Sequence, residues 1–364
     1  MSAEDKSLLE RVEVPSIPKG LATKIAHLQE QFIRAEVEQL RKSVPLLNPL
    51  FKKRNEIISS SPEVQDDFWI RVFASAPAEI DEYILPTDAA ALGSALKNLN
   101  VERFEVDEQG NGEPRSLRFT FEFHTGEEEN PFFTNSQLVK EFYWRKQSIK
   151  TASGKIRTWE GLVSEPVRIN WKKDMDLTKG LLDAACDLAE AEKKKGGERS
   201  KLPEYEALIK KLEIAEAEAM DAEEEEEDDE GIESPAGTSF FAFFGYRGRD
   251  VSAEQSKEAS KLDDERYAKI LKGEVDDDEV DEEDDEDELL DDDLEDAEIF
   301  PDGEELAIAI AEDLWTDAMK YYIGSYEMGD DLDELDISEI DADEMDEDDE
   351  KMDEASRPRK KARN

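Results

Sequence analysis

Apolar residues recur every three or four positions from Lys19 to Ser60, with one slip at Phe32–Ile33. This spacing lays them along one side of a helix and leaves Glu, Gln, Lys and Arg on the other side. A helix of about 42 residues would be roughly 63 Å long, more than one small domain can cover. The pattern therefore favours a dimerising coiled coil, and a kinked helix inside a single core is the alternative. The residues predicted to form the dimer seam are Leu21, Ile25, Leu28, Phe32, Ile33, Val37, Leu40, Val44, Leu47 and Phe51.

Two prolines, Pro45 and Pro49, lie within this pattern. Proline has no amide hydrogen and its ring clashes with the preceding turn, so each one weakens a helix from within. We therefore expect a kink or a short break between Arg41 and Pro49.

The charge is distributed very unevenly along the chain. Residues 1–220 carry 32 Lys and Arg against 39 Asp and Glu, a net of −7. Residues 221–364 carry 14 against 58, a net of −44, which completes the total of −51. Self-repulsion at that density opposes compaction. The first part is therefore predicted to be the folded module, and the second to consist of acidic disordered insertions and a tail that contain islands of structure.

After the long helix, the periodicity predicts an α+β fold, in which short helices precede a four-stranded antiparallel sheet. The last short helix is expected at Ala89–Leu99. The sheet is predicted from alternating apolar and polar residues and from a glycine-rich hairpin turn at residues 110–112. The first strand is predicted to begin at Val101. The other three are predicted at Leu117–Phe123, Leu138–Trp144 and Val167–Trp171.

The same patterns divide the chain into segments. We predict a mobile leader at 1–18, the long dimerisation helix at 19–61, an α+β domain at 62–182 completed by 237–247 and 301–327, a helical and acidic insertion at 183–236, an acidic insertion at 248–300, and an acidic tail with a basic C-terminus at 328–364.

The segment 237–247, which completes the α+β domain, has four phenylalanines in Phe240–Phe244. Exposed to water it would promote aggregation, so we expect it to dock on the core. The alternative is an exposed hydrophobic anchor for a partner.

Little in the sequence supports catalysis or metal binding. Two histidines, His27 and His124, cannot form a histidine-rich metal cluster, and no phosphate-binding glycine loop is followed by Lys-Ser/Thr. The acidic runs lack the central glycine of a calcium loop, and solvated carboxylates lack the burial that shifts a catalytic pKa. We therefore predict no enzyme activity, no catalytic residue, no metal site and no cofactor. A single cysteine, Cys186, and the lack of a long apolar run fit a soluble protein of a reducing compartment.

Three separate acidic blocks indicate a densely basic partner. Exposed charges act over only about 8 Å at physiological salt, so binding must be close and multivalent. The sign of the charge excludes direct DNA or RNA binding by these blocks, and core histones are the predicted partner. The C-terminal basic residues are typical of a nuclear import signal, so we expect a nuclear protein that shuttles with the cytoplasm. Folding of the basic end onto the acidic tail is the alternative. These residues are Arg357, Arg359, Lys360, Lys361 and Arg363.

Several short motifs, in order along the chain, resemble those of nucleosome assembly protein (NAP) family histone chaperones and of their SET / template-activating-factor branch. They are Pro49–Arg54 with Ile57–Ile58, Phe68–Trp69 with Phe73, Asn130–Phe133 before Lys140–Phe142, Ile169–Lys172 before Asp176–Lys179, Ser239–Phe241, and Glu312–Trp315 with Tyr321–Tyr322. The resemblance covers about residues 20–182 and the islands at 238–245 and 304–327. The spans 183–236 and 246–300 look inserted relative to the compact family pattern.

The resemblance implies a headphone-shaped homodimer, in which antiparallel long helices join two α+β "earmuff" domains whose underside holds histones. It also implies an ATP-independent histone chaperone for nucleosome assembly and disassembly. A regulatory scaffold or inhibitor of a histone-modifying enzyme or phosphatase is the alternative. Acidic positions on matching segments are the candidate histone-binding residues: Glu127, Glu128, Glu129, Glu312 and Asp313.

Overall fold

The computed structural model describes residues 19–150, 156–196, 198–225, 238–272 and 296–327. The predicted leader, the acidic tail with its basic cluster, and the most acidic parts of both insertions lie outside the described residues. Within the described ranges, no helix is both long and apolar enough to cross a membrane.

Nine α-helices and four strands make up the described fold. The helices are α1 (Lys19–Ser59), α2 (Pro62–Ala74), α3 (Ala78–Asp81), α4 (Pro86–Ala95), α5 (Leu181–Lys195), α6 (Pro203–Glu225), α7 (Ala253–Lys272), α8 (Gly303–Ala309) and α9 (Ala318–Glu327). The strands are β1 (Leu96–Glu102), β2 (Leu117–Phe123), β3 (Gln137–Lys150) and β4 (Ile156–Ser164). Short 3₁₀ helices occupy Arg199–Lys201 and Phe240–Gly245, and a π-helical turn at Ile310–Leu314 joins α8 to the segment before α9.

The long helix α1 is continuous through Pro45 and Pro49, so the predicted break does not occur. Proline at position 45 leaves the Arg41 carbonyl without its usual intrahelical donor. The loop between β1 and β2 packs against this turn. The Arg41 side chain also donates from Nε to the Gly112 carbonyl at 2.8 Å. These contacts with the β1–β2 loop support the turn of α1 that the two prolines would otherwise weaken.

The four strands form an antiparallel meander in the order β1-β2-β3-β4, which confirms the predicted fold class. β2 alternates buried and half-buried residues along its whole length, because one face of the sheet covers the core. Phe119 pairs across the sheet with Val101 of β1 and Lys140 of β3. β3 is longer than predicted and pairs with β4 from Phe142 to Lys150.

One strand prediction was wrong, and one strand was missed. Val167–Trp171 is not the fourth strand, because its backbone bonds to other loops: the Val167 amide donates to the Phe244 carbonyl at 2.8 Å and the Asn170 carbonyl accepts from Thr134 at 3.0 Å. The fourth strand is β4. Its alternation of apolar and polar residues is not evident in the sequence, because Gly161 and charged residues interrupt it.

The predicted helix Ala89–Leu99 was also too long. α4 ends at Ala95 and β1 begins at Leu96, so the helix passes directly into the strand. Leu96 and Leu99 are buried and pair with Phe123 and Phe121 of β2, and sheet pairing therefore overrides the helical pattern.

The aromatic segment Phe240–Gly245 lies in the centre of the core, as predicted for a docked segment. Its four phenylalanine side chains are completely buried. Phe243 packs edge-on against Phe119 of β2, with ring centroids 5.9 Å apart. Asp88 of α4 fixes the start of the segment, accepting from the Ser239 hydroxyl and, at 2.8 Å, from the Phe240 amide. Burial raises the pKa of Asp88, although these hydrogen bonds oppose the change.

The insertions contribute to the same fold. α5, most of which falls in the predicted 183–236 insertion, adds Ala185, Cys186 and Leu188 to the core. α7, in the predicted 248–300 insertion, crosses both β3 and α1. Its Asp263 carboxylate accepts from Lys146 of β3 and from Arg34 of α1, both at 2.7 Å. α7 thus connects the long helix to the sheet.

We predict that Phe241→Ala will lower the free energy of unfolding by about 3–5 kcal/mol, because it removes a completely buried ring. Urea denaturation followed by circular dichroism measures the change. The control is Ile214→Ala on α6, which removes an apolar side chain that is 50% exposed and should cost about 0.5 kcal/mol or less. Equal stability of the Phe241 variant and the wild type would contradict the structural role of the segment.

Asp263 gives a second stability prediction. Burial alone would raise the pKa of Asp263, but hydrogen bonds from Lys146 and Arg266 and the nearby charge of Arg34 hold it below its usual value. The carboxylate therefore stabilises the fold above about pH 4, where it is ionised in the unfolded chain, and loses this contribution as the pH falls through its folded pKa. Asp263→Asn should cost roughly 2–4 kcal/mol at neutral pH.

The neighbouring residue provides the matched control. Asp264 also bonds to Arg34, at 2.9 Å, but its side chain is 71% exposed. Asp264→Asn should cost about 0.5 kcal/mol, as expected for a surface ion pair. Denaturation at pH 7 and pH 3 tests both variants; a deficit of the Asp263 variant that persists unchanged at pH 3 would contradict the ionic contribution.

Candidate functional site

α1 exposes a row of large apolar side chains along its length. At about 100° per residue these positions fall within about 60° of arc, and the row extends over roughly 54 Å. Each side chain in the row is between 40% and 72% exposed. The row has two apolar parts, Leu21–Phe32 and Leu46–Ile57, and Gln39 and Ser43 lie on the same arc between them. Exposed apolar surface of this extent is unusual on a soluble protein and indicates an interaction site. The row consists of Leu21, Ile25, Leu28, Phe32, Leu46, Leu50 and Ile57.

The other predicted seam residues lie on neighbouring parts of the helix surface. Val44 is buried and Phe51 packs on the Trp315 ring of its own chain at 5.5 Å. Val37 and Leu40 are half-buried, whereas Ile33 and Leu47 are exposed beside the row. Sequence analysis missed Leu46, Leu50 and Ile57. Measuring the helical angle from Leu21 along the whole helix, instead of following the slip at residues 32–33, identifies them.

The C-terminal part of α1 is joined to the α+β domain by Arg54. Its guanidinium lies 4.0 Å from the centroid of the Trp315 ring and 5.1 Å from that of Phe51, and one nitrogen donates to the Trp315 carbonyl. Trp315 in turn stacks on Trp69 of α2 at 5.5 Å. Burial lowers the pKa of Arg54 to about 10, so the side chain stays charged at neutral pH. This joint fixes which side of α1 faces its own domain.

The first candidate acidic group lies in the loop between β2 and β3. Glu127, Glu128 and Glu129 are consecutive and exposed, just beyond the end of β2. Asn130 is buried and holds the loop, donating to the His124 carbonyl at 3.1 Å and accepting from the Phe133 amide at 3.1 Å. The structure thus presents three carboxylates on an anchored turn.

The second group occupies the turn between α8 and α9. Glu312 accepts from Arg103 at 3.0 Å, and Asp313 accepts from the Tyr321 hydroxyl at 2.7 Å. Arg103 directly follows β1, beside the start of β2, whereas the Glu127–Glu129 loop follows the end of β2. The length of β2 separates these two positions by roughly 20 Å. The structure therefore does not combine the five candidate residues in one cluster.

The buried ionisable groups of the domain are structural. Lys140 donates to the Glu165, Phe244 and Tyr246 carbonyls at 2.6–3.1 Å, which uses all three ammonium hydrogens. Burial lowers the pKa of Lys140 to about 7 and raises that of Cys186 to about 11, so the thiol is protonated at neutral pH. Among the described residues, no three His, Cys, Asp or Glu side chains are grouped to hold a metal ion.

The described structure thus combines a long helix that exposes an apolar row with an α+β domain that carries exposed carboxylates. The family model described as nucleosome assembly protein (NAP) matches residues 16–325. The chain therefore belongs to the nucleosome assembly protein family.

Two curated relatives support this assignment. A putative nucleosome assembly protein of Schizosaccharomyces pombe is 33% identical over 153 residues, which are 42% of this chain and 58% of the relative. Protein SET of Drosophila melanogaster is 31% identical over 137 residues, 38% of this chain and 43% of that protein, in agreement with the SET-like branch. The matched region thus spans about half the length of these relatives.

Among solved structures, the chain matches a mutant of Ccp1 with a TM-score of 0.45 and 23% identity, over 85% of this chain and 97% of that chain. Nucleosome assembly protein S of Plasmodium falciparum has a TM-score of 0.23 and 27% identity over 43% of this chain and 70% of that chain.

Proposed function

We propose that the protein is an ATP-independent histone chaperone that acts as a homodimer in the nucleus. Membership of the nucleosome assembly protein family is the observation that carries this proposal. The excess of 97 Asp and Glu over 46 Lys and Arg supports it, because such a surface attracts densely basic proteins. Nuclear entry through the C-terminal basic cluster, with shuttling to the cytoplasm, is part of the proposal.

The exposed apolar row of α1 supports dimerisation. Seven large apolar side chains facing water would be costly in a monomer, and each CH₂ group buried in an interface contributes about 0.8 kcal/mol. A second copy of α1, packed along the row, supplies a matching apolar surface through two-fold symmetry. An adjacent side of the helix, with Val44, Phe51 and Arg54, already contacts its own domain, so the exposed row is left for a partner helix.

Histone binding would then combine two kinds of contact. The acidic segments provide multivalent attraction that salt screens within about 8 Å. The dimer provides a fixed surface, with the Glu127–Glu129 loop as one acidic contact. Release follows when DNA phosphates compete for the same histone cations.

The dimer proposal predicts that Leu28→Glu with Phe32→Glu will produce monomers, because both charges would be buried in the apolar interface. Light scattering coupled to gel filtration measures the mass, and circular dichroism checks the fold. Gln31→Glu with Lys42→Gln makes the same charge change at exposed positions outside the row and should leave the dimer intact. A folded row variant with the mass of a dimer would exclude this interface.

The acidic-loop proposal predicts that Glu127→Gln, Glu128→Gln and Glu129→Gln together will weaken histone binding severalfold, about 1 kcal/mol, and reduce its salt dependence. Fluorescence titration of the full chain with each of the two core histone pairs at several salt concentrations measures both effects. Glu79→Gln, Asp81→Asn and Glu82→Gln remove the same number of exposed charges at α3 and serve as the control. If both triple variants lose affinity equally, only total charge matters and the loop has no specific role.

A further inference from the structure

The side of α1 that carries the exposed row has the same spacing when it is read from either end. From Leu21 to Gln39 its residues are 4, 3, 4, 3 and 4 positions apart, and counting back from Ile57 to Gln39 gives the same series. Gln39 is therefore the midpoint of this side, and it is exposed. The positions, all within about 80° of arc, are those of the exposed row together with Ala35, Gln39, Ser43 and Lys53.

Mirror-related positions on this side carry similar residues in most cases. An interface between two identical copies needs this kind of symmetry, because residue i of one copy contacts residue j of the other and j contacts i. A two-fold axis through Gln39, perpendicular to the helix, would bring each mirror pair together between two antiparallel copies of α1. The pairs are Leu21 with Ile57, Ile25 with Lys53, Leu28 with Leu50, Phe32 with Leu46, and Ala35 with Ser43.

Lys53 distinguishes the two directions in which the copies could pack. In a parallel pair the two Lys53 ammonium groups would face each other across an apolar surface, and like charges placed in this way oppose binding. In an antiparallel pair Lys53 lies opposite Ile25, so that its methylene chain covers an apolar side chain while the ammonium group reaches the edge of the interface. The side chains therefore favour the antiparallel direction.

The midpoint of this side is polar, and this limits which residues can face each other. The Ser43 hydroxyl donates to the Leu40 carbonyl of its own helix at 2.8 Å, so the Gln39 amide is the central polar group left for a second copy. An amide both donates and accepts, and two Gln39 side chains on the axis satisfy each other. A shift of one heptad would place each Gln39 against Phe32 or Leu46 and would bury two amides without partners, which is unfavourable.

From this symmetry we infer that Gln39 lies on the two-fold axis of the dimer and sets its register by pairing with the Gln39 amide of the second copy. The inference rests on the proposed homodimer and adds the register in which the two helices pack. A single polar residue in an apolar helical interface specifies register at a cost in affinity. It also narrows the partner to a chain that has a polar residue at the same midpoint, as a second copy of this chain does.

Cysteine cross-linking of the full chain tests the position of the axis. Facing Cα atoms of helices packed about 8–10 Å apart lie roughly 5 Å from each other, within the range of a disulfide. Under mild oxidation we expect Gln39→Cys to form a covalent dimer, and Leu28→Cys combined with Leu50→Cys to do the same. Leu28→Cys alone should form none, because its two copies would lie about 33 Å apart along the helices. The native Cys186 is buried, which keeps its thiol out of the reaction.

Circular dichroism confirms the fold of each variant, and light scattering measures its mass before oxidation. A covalent dimer of the single Leu28→Cys variant would indicate parallel helices and overturn the inference. A folded, dimeric Gln39→Cys variant that does not cross-link would overturn the register alone, whereas a monomeric wild type would overturn the homodimer as well.

The role of the Gln39 amide has a separate test. Leu28→Cys combined with Ser43→Cys reports a dimer shifted by one heptad, because these positions face each other only after that shift. We expect little covalent dimer from this pair, and about tenfold more when Gln39→Leu is added, since the shift then buries no unpaired amide. Gln31→Leu makes the same change outside the row and should leave the yield unchanged. No increase with Gln39→Leu, or an equal increase with Gln31→Leu, would overturn the role of Gln39.

Discussion

The fold depends on the burial of Phe240–Phe244 against the sheet. Burying four rings contributes roughly 6–12 kcal/mol, and ordering six backbone residues costs a similar amount. Ring burial and backbone entropy therefore nearly cancel, and the polar contacts of Asp88 with Ser239 and Phe240 favour the docked state. The same segment also provides the Phe244 carbonyl that accepts from the Val167 amide and from Lys140. Its loss would thus remove partners from the sheet as well as from the core.

This dependence explains how so acidic a chain keeps a compact core. The apolar segments that follow acidic stretches of the sequence pack into the domain, and buried polar contacts hold each of them in place. Glu298 caps the Arg247–Gly248 backbone, and Lys140 ties that loop to β3. Burial raises the pKa of Glu298 and lowers that of Lys140, because the charged form of each group loses hydration there. Backbone partners satisfy them, so repulsion among the acidic residues acts outside the core.

Sequence reasoning succeeded where one strong period dominates. α1 and β2 follow directly from apolar spacing, because burial of one face fixes each of them. The docked phenylalanines follow from the cost of exposing four rings to water. It failed where tertiary contacts decide the structure: Leu96–Leu99 fits a helix until it pairs with β2, and Val167–Trp171 alternates like a strand but bonds to loops. The candidate seam shows the same limit. Two adjacent sides of α1 are apolar, and only packing reveals that its own domain covers Val44 and Phe51.

The two attachments of α1 give the exposed row a fixed direction. Arg54 holds the helix to α2 and the π-helical turn, and Arg34 holds it to α7, roughly 30 Å away along the same helix. A rod attached at two distant points cannot rotate about its axis relative to its domain. A partner helix packed along the row would therefore place the second α+β domain at a defined angle, without contacts between the domains themselves. Under the proposed function, the spacing of the two acidic surfaces is set by α1, while the acidic segments add attraction that needs no fixed geometry.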